Sequence, residues 1–334
     1  MKWLVIGGSQ FVGRHLVEAA AARGDQVTVF NRGQTATVWP EGVQVCQGDR
    51  KVDLSALVEG TWDTVVDTCG YLPRDVARMA ECLQGRVGRY VFISSVSVYA
   101  DFSRPNDESN DLARIDDVDT EVVDGRTYGA LKALCEEAVT SRFGDRALLI
   151  RPGLIVGPHD PTQRFTYWPA RVARAASGET VLVPGTADDG VQFIDARDVA
   201  AFVLQASGGD LKGPFNLISA PGALTMGAVL DACASAACTQ PRWQWASAKE
   251  IERCGLNAWV DLPLWLHPAG DHAAFALTDT QAACAAGLTI RPLAHTVADT
   301  LAWYRSLAAD QQVFSKAGLS AEREAAALKE LLRC

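Results

Sequence analysis

The stretch Lys2-Trp3-Leu4-Val5-Ile6-Gly7-Gly8-Ser9-Gln10-Phe11-Val12-Gly13 decides how the rest of the 334-residue chain is read. Trp3 to Ile6 is apolar and ends in β-branched residues, as a short buried strand does. Gly7 and Gly8 allow a tight turn where a Cβ would clash. Gly13 lets the following helix, predicted over about 11–23, pack close to the sheet, and Gly24 stops that helix. The free N–H groups and dipole at such a helix start suit the pyrophosphate of a dinucleotide. Gly7, Gly8, Ser9, Gln10, Phe11, Val12 and Gly13 are therefore the first candidates for holding a cofactor. A second apolar strand at Gln26 to Phe30 follows at the spacing of a strand–helix–strand unit.

Further strands are predicted at 43–46, 63–67, 89–93 and 146–150, with helices at 73–83 and 128–142 between them. This alternation indicates an α/β protein with a doubly wound parallel sheet of the Rossmann type, whose ligands lie beyond the C-terminal strand ends. The polar residues at those ends are the remaining candidates. Asn31 and Arg32 follow the second strand. No acid stands there to bond a ribose 2′-hydroxyl, whereas Arg32 can pair with a 2′-phosphate, so NADP(H) is favoured over NAD(H). Asp49 and Arg50 follow the third strand, within reach of an adenine. Thr68, Cys69, Gly70 and Tyr71 follow the fourth, and Ser95 and Ser97 the fifth. Tyr128 and Lys132, at i and i+4, share one face of the helix they open.

Beyond Arg151 the pattern loosens. Residues 151–158 read as a turn-rich crossover, and 104–124 as an acidic solvated loop. Helices are expected at 165–176, 196–206, 225–236, 278–286, 295–307 and 320–332, the last capped by Ser320. Strands are expected at 181–183, 192–194 and 214–218. The chain divides into a dinucleotide-binding domain over 1–150, to which segments near 185–205 return, and a smaller C-terminal α/β substrate lobe over 151–334.

Composition limits the partners. The net charge of −9 disfavours nucleic acid and anionic membranes. No apolar run is long enough to span a bilayer. The nine cysteines contain no Cys-x-x-Cys pair and read as reduced thiols of a cytoplasmic protein, and the five histidines show no metal-ligand spacing. A small-molecule substrate is expected and no metal.

Tyr128-x-x-x-Lys132 with Ser95 upstream and the glycine turn at the start resembles the extended short-chain dehydrogenase/reductases, the NAD-dependent epimerase/dehydratase family. The likeness continues through Arg151-Pro152 to Gly157-Pro158, Gln192 to Ala200 and Phe215-Asn216-Leu217. It implies that Tyr128 is the general acid/base, that Lys132 holds the nicotinamide ribose and lowers the pKa of Tyr128, and that Ser95, with Ser97, bonds the reacting oxygen. Pro152 joins the cofactor contacts. Tyr71, Leu154, Phe165, Trp168 and Val191, with Ser97 and Tyr128, are the expected substrate contacts. Family members often form homodimers through the helices near 73–84 and 128–142.

This sequence also departs from the family pattern. Gln10 stands where a glycine is usual, and Gly-Gly-x-x-Phe-x-Gly is similar to an atypical branch that includes a chloroplast RNA-associated protein. Leu154 and Val191 stand where sugar-nucleotide members carry an Asn and an Arg for the substrate diphosphate. Val96 and Ser97 replace the acids of the sugar dehydratases. Arg151, Arg164, Arg171, Arg174 and Arg197 are alternative cations for a phosphate. The expectation is an NAD(P)-dependent carbonyl reductase or alcohol dehydrogenase acting on a small organic substrate. The alternatives are a nucleotide-sugar epimerase with tightly bound NAD and, further off, a non-catalytic dinucleotide-sensing or RNA-associated protein.

Overall fold

The computed structural model describes residues 1–333. Its strands are β1 (Lys2–Ile6), β2 (Gln26–Asn31), β3 (Gln44–Gln47), β4 (Trp62–Asp67), β5 (Val87–Ile93), β6 (Ala147–Pro152), β7 (Leu154–Val156), β8 (Thr180–Pro184), β9 (Phe193–Asp195), β10 (Gly213–Leu217) and β11 (Arg242–Ala246). Seven of them form one parallel sheet in the order β10-β6-β5-β4-β1-β2-β3. The chain reverses its direction of travel across the sheet between β1 and β4, the kind of switch point at which such sheets bind ligands.

The central strands are buried on both faces because helices cover both. One face packs on α1 (Phe11–Ala22), and the other on α2 (Pro73–Leu83) and α3 (Tyr128–Phe143). Alternation along β1 assigns its residues: Trp3 and Val5 join the α1 core, Leu4 and Ile6 the α2/α3 core. Proline opens α2 at its first turn, where its missing N–H costs nothing.

The lobe has its own core, built from α4 (Tyr167–Arg174), α6 (Met226–Ala237), α9 (Leu293–Ser306) and α10 (Ala321–Leu331) around the parallel pair β8 and β11. Between α4 and α6, α5 (Ala196–Ala206) returns to pack beside α1. β10, expected within the lobe, adds to the edge of the large sheet beside β6. Part of the predicted crossover 151–158 is β7, paired with β9. β11 and the following α7 (Ala248–Arg253) were not anticipated, although Ser247 and Glu250 form a capping box there. The expected helix at 278–286 is the short α8 (Gln281–Ala285). Ser320 caps α10, its hydroxyl accepting the N–H of Arg323 at 3.3 Å. Among the described residues no helix is long and apolar enough to cross a membrane.

Candidate active site

A cavity of about 500 Å³ lies along the C-terminal ends of β2, β1, β4 and β5, lined from Arg32 at one end to Tyr128 and Lys132 at the other. The glycine turn forms its floor. Gly7 and Gly8 have φ of +103° and +71°, and a Cβ on Gly7 would run into the Thr68 hydroxyl. A Cβ on Gly13 would stand 2.7 Å from the Gly8 nitrogen, so the helix start can close on the turn only as glycine. Gln10 is extended at φ −139°, a conformation open to any residue. Its departure from glycine therefore puts no strain on the turn, and its side chain reaches across the rim to Thr35 at 3.5 Å. The left-handed position falls on Phe11 instead, at φ +44°, whose ring is anchored in the α1 core. This floor, with the opening of α1 above it, fits a dinucleotide pyrophosphate.

The adenosine end is lined by Asn31, Arg32, Asp49 and Arg50. Asn31 donates to the Ser9 hydroxyl at 3.0 Å and accepts the Gly33 N–H, which fixes the tip of β2 against the glycine turn. Arg32 is exposed. Arg50 is not free for an adenine: its guanidinium grips Asp67 in a two-point pair at 2.8 and 2.9 Å. Burial pushes the Asp67 carboxyl up, but the Arg50 charge and the hydrogen bonds from Arg50 and Tyr90 outweigh it and hold the group below the usual carboxylate range. Arg50 thus stiffens the cavity wall.

At the opposite end α3 begins beside the short turn Val96–Val98, so closely that a Cβ on Gly129 would strike the Ser97 carbonyl. Ser95 caps that turn by accepting the Ser97 N–H at 3.1 Å, and its hydroxyl donates to the Ser97 hydroxyl at 3.1 Å. Burial, with a contribution from Tyr71, pushes the Tyr128 phenol up to about 12, while a hydrogen bond with Ser95 and the charge of Arg164 pull the other way. The rings of Tyr71 and Tyr128 lie 6.5 Å apart.

Lys132 is held by backbone carbonyls. Its ammonium is buried, donates to the carbonyls of Gly70 at 2.9 Å and Ile93 at 2.6 Å, and sits 4.1 Å from the centre of the Phe92 ring. Burial lowers it to about 8. Lys132 lines the cavity, and Gly70 serves as one of its acceptors.

Thr68, Cys69 and Tyr71 line the same cavity, as predicted residues, together with Ile93, Ser94, Gln34, Thr35, Ile155 and Pro161, which the sequence reading passed over. Ile93 and Ser94 are strand-end positions and could have been found by that rule. Pro161 carries no local signal. Ser95 and Ser97 flank the cavity at Tyr128, and Pro152 ends β6, buried. Phe165, Trp168 and Val191 need correction: all are within 3% of full burial in the lobe core, and the Trp168 indole donates to the Pro263 carbonyl at 2.8 Å. Apolar side chains of this size gain more from burial among the lobe's helices than from lining a wet cleft. Leu154 packs against the same core, leaving Ile155 to face the cavity.

Three of the arginines considered for phosphate are spent within the structure. Arg151 pairs with Glu136, Arg171 with Glu324 and Glu179, and Arg197 with Asp195 and Asp299. Arg174, on the last turn of α4, lies over the Phe314 ring. Arg164 lies over Trp259. Among the described residues no cluster of His, Cys, Asp and Glu could hold a metal ion.

Residues 3–216, which carry this cavity and its catalytic candidates, match the NAD dependent epimerase/dehydratase family. The chain belongs to that family. Chloroplast stem-loop binding protein of 41 kDa b from Arabidopsis thaliana is 26% identical over an alignment of 256 residues that covers 70% of this chain and 63% of that protein. The chain thus spans less than two thirds of that relative's length. Solved structures share the fold at low identity. The UDP-N-acetylglucosamine 4-epimerase of Methanobrevibacter ruminantium aligns at a TM-score of 0.67 and 15% identity, over 91% of this chain and 98% of its own. The Bordetella bronchiseptica enzyme WbmH, solved with NAD⁺, aligns at 0.64 and 16% over the same shares.

Proposed function

We propose that this protein is a nicotinamide-dinucleotide enzyme that interconverts a secondary alcohol and a carbonyl, with Tyr128 as its proton donor and acceptor. The observation that carries this reading is that Tyr128 and Lys132, with Ser95 beside Tyr128, stand at one end of a cavity floored by a glycine-turned helix start. A bound nicotinamide supplies the hydride exchange. The chain's residues do the rest. The glycine turn and α1 take the pyrophosphate, Lys132 takes the ribose, and Ser95 and Tyr128 hold the substrate oxygen. With its phenol near 12, Tyr128 is protonated at neutral pH and ready to donate to an oxygen that gains charge. Running the other way, it must lose that proton, which a cation near the site assists.

The family and the likeness to the Methanobrevibacter ruminantium epimerase favour an epimerase, in which oxidation and reduction alternate on a retained NAD, over net carbonyl reduction. The reductase reading keeps support from one feature. Val191 and Leu154 pack into the lobe and offer no polar group to a diphosphate. Denaturing the purified protein and identifying any released nucleotide separates the two. Stoichiometric NAD⁺ supports the epimerase, and an empty protein that exchanges NAD(P)H freely supports the reductase. Tyr128→Phe should keep cofactor affinity and lower turnover by about 10²-fold or more. A variant that turned over at the wild-type rate would sink the mechanism.

A further inference from the structure

Arg164 is placed oddly for a structural residue. It lies three positions before the first turn of α4, where the helix end is itself positive and a guanidinium is electrostatically disfavoured. No carboxylate among the described residues comes within ion-pair distance of it, whereas Arg151, Arg171 and Arg197 all hold acids. Asp160, four residues back, feels its charge but stays beyond that distance and gives one oxygen to the Thr162 N–H and hydroxyl at 2.8 and 2.7 Å. The loop that delivers Arg164 is held in costly backbone: His159 and Gln163 have φ of +68° and +63°. Such conformations persist where surrounding structure imposes them, and they gather at ligand sites.

The guanidinium is backed by an aromatic wall. It lies 5.6 Å from the centre of Trp259, itself held at φ +67°. Trp259 meets Phe275 edge-on at 5.3 Å, and Phe275 meets Phe102 at 5.5 Å. Phe102 packs on Val96 and Val98, the residues that alternate with Ser95 and Ser97. Pro161, on the Arg164 loop, lines the cavity that holds Tyr128. The Tyr128 phenol feels the charge of Arg164 as well. A half-buried cation without an ion pair among the described residues thus stands near the tyrosine, with apolar rings beside it.

Resting on the function proposed above, we propose that Arg164, backed by Trp259, binds a negatively charged group of the substrate, a carboxylate or a phosphate ester, close to the carbon that is oxidised and reduced. Stacking leaves the edge of the guanidinium free to donate two hydrogen bonds to such an oxyanion. The nearby rings take the neighbouring carbon skeleton. This places the substrate's charge on the loop before α4, whereas Leu154 and Val191 leave no polar side chain at their own positions.

The test is calorimetric titration of the cofactor-saturated protein with benzoate, phenyl phosphate and neutral benzyl alcohol. At least one anion should bind about tenfold or more tightly than the alcohol, and which anion wins tells carboxylate from phosphate. Arg164→Gln should erase that preference, leave benzyl alcohol binding as it was and leave cofactor affinity unchanged. Arg164→Lys should restore part of it. Should Arg164→Gln fail to fold, Trp259→Leu must weaken the anion severalfold while keeping the alcohol. Equal binding of anions and alcohol, an unchanged preference in Arg164→Gln, or a loss confined to cofactor affinity would overturn the assignment. Tyr128→Phe should keep anion binding, so failure of the proposed chemistry and failure of this subsite read out separately.

Discussion

At the scale of single residues, Arg32 sets the cofactor question. It lies exposed at the tip of β2 and lines the cavity, and neither Asp nor Glu lines the cavity on β2 to bond a ribose 2′-hydroxyl. The family description names NAD, whereas an arginine at this position can pair with a 2′-phosphate. If Arg32 binds that phosphate, Arg32→Ala should weaken NADPH by about tenfold to a hundredfold and barely touch NADH. Equal effects on both, measured by fluorescence titration, would remove NADP from consideration. Lys132 yields a pH prediction. Burial lowers it to about 8, so above that pH it enters the site neutral. A ligand that prefers the charged form must then lose affinity as pH rises through about 8, and it must keep full affinity below. The dissociation constant of the dinucleotide followed from pH 6 to 10 should show this rise, and Lys132→Met should flatten it. A wild-type profile without the step would show that Lys132 does not meet the cofactor as a cation.

Between elements, the helix that carries Tyr128 and Lys132 is fastened to the sheet by a buried charge pair. Arg151 on β6 and Glu136 on α3 are 3% and 2% exposed and share two hydrogen bonds at 2.9 and 2.7 Å. Arg151 also donates to the Tyr99 hydroxyl, which donates to Asn216 on β10 at 2.6 Å. Breaking such a pair strands a buried charge. Glu136→Gln should therefore cost about 3–5 kcal/mol in urea unfolding, whereas replacing both partners with apolar residues, as in Glu136→Leu with Arg151→Met, should cost far less. A double variant as unstable as the single one would mean that the pair, and not the stranded charge, supplies the stability. The same example shows what the sequence could and could not disclose. The glycine turn, the strand ends and the Tyr128/Lys132 face are local patterns, and they were legible. Arg151 and Arg164 looked alike in the chain, because what separates them is an acidic partner: Glu136 fifteen residues away on another element for Arg151, and none within ion-pair distance among the described residues for Arg164. Phe165, Trp168 and Val191 were misplaced for a related reason, since an apolar side chain carries no mark that tells core from cleft. β11 was legible in part, because Trp243 and Trp245 alternate ahead of the Ser247 cap.

At the scale of the whole molecule, the sheet and the lobe have separate cores, and a charged knot at Asp195 is one of the ties between them. Asp195 ends β9 and caps α5 by accepting the Arg197 N–H. It also accepts from the Thr296 hydroxyl of α9 at 2.9 Å and lies 3.5 Å from Arg291, which in turn holds Asp198 of α5 at 2.8 Å. Burial pushes the Asp195 carboxyl up, but its bonds to Arg197 and the charges of Arg197 and Arg291 bring it below the usual range. One carboxylate therefore ties a helix of the sheet layer to a helix of the lobe. If this knot couples the cores, heating should unfold the chain in one transition. A dinucleotide at 100 times its dissociation constant, bound only to the sheet side, should stabilise the entire molecule by about 2.7 kcal/mol. Asp195→Ala strips the cap from α5 and leaves Arg291 and Thr296 without their shared acceptor. In that variant the lobe should melt in a transition of its own, at a temperature that added cofactor does not move. Scanning calorimetry with and without NAD(P)H distinguishes the outcomes. A single cofactor-shifted peak in Asp195→Ala would mean that packing, not this carboxylate, carries the coupling between the layers.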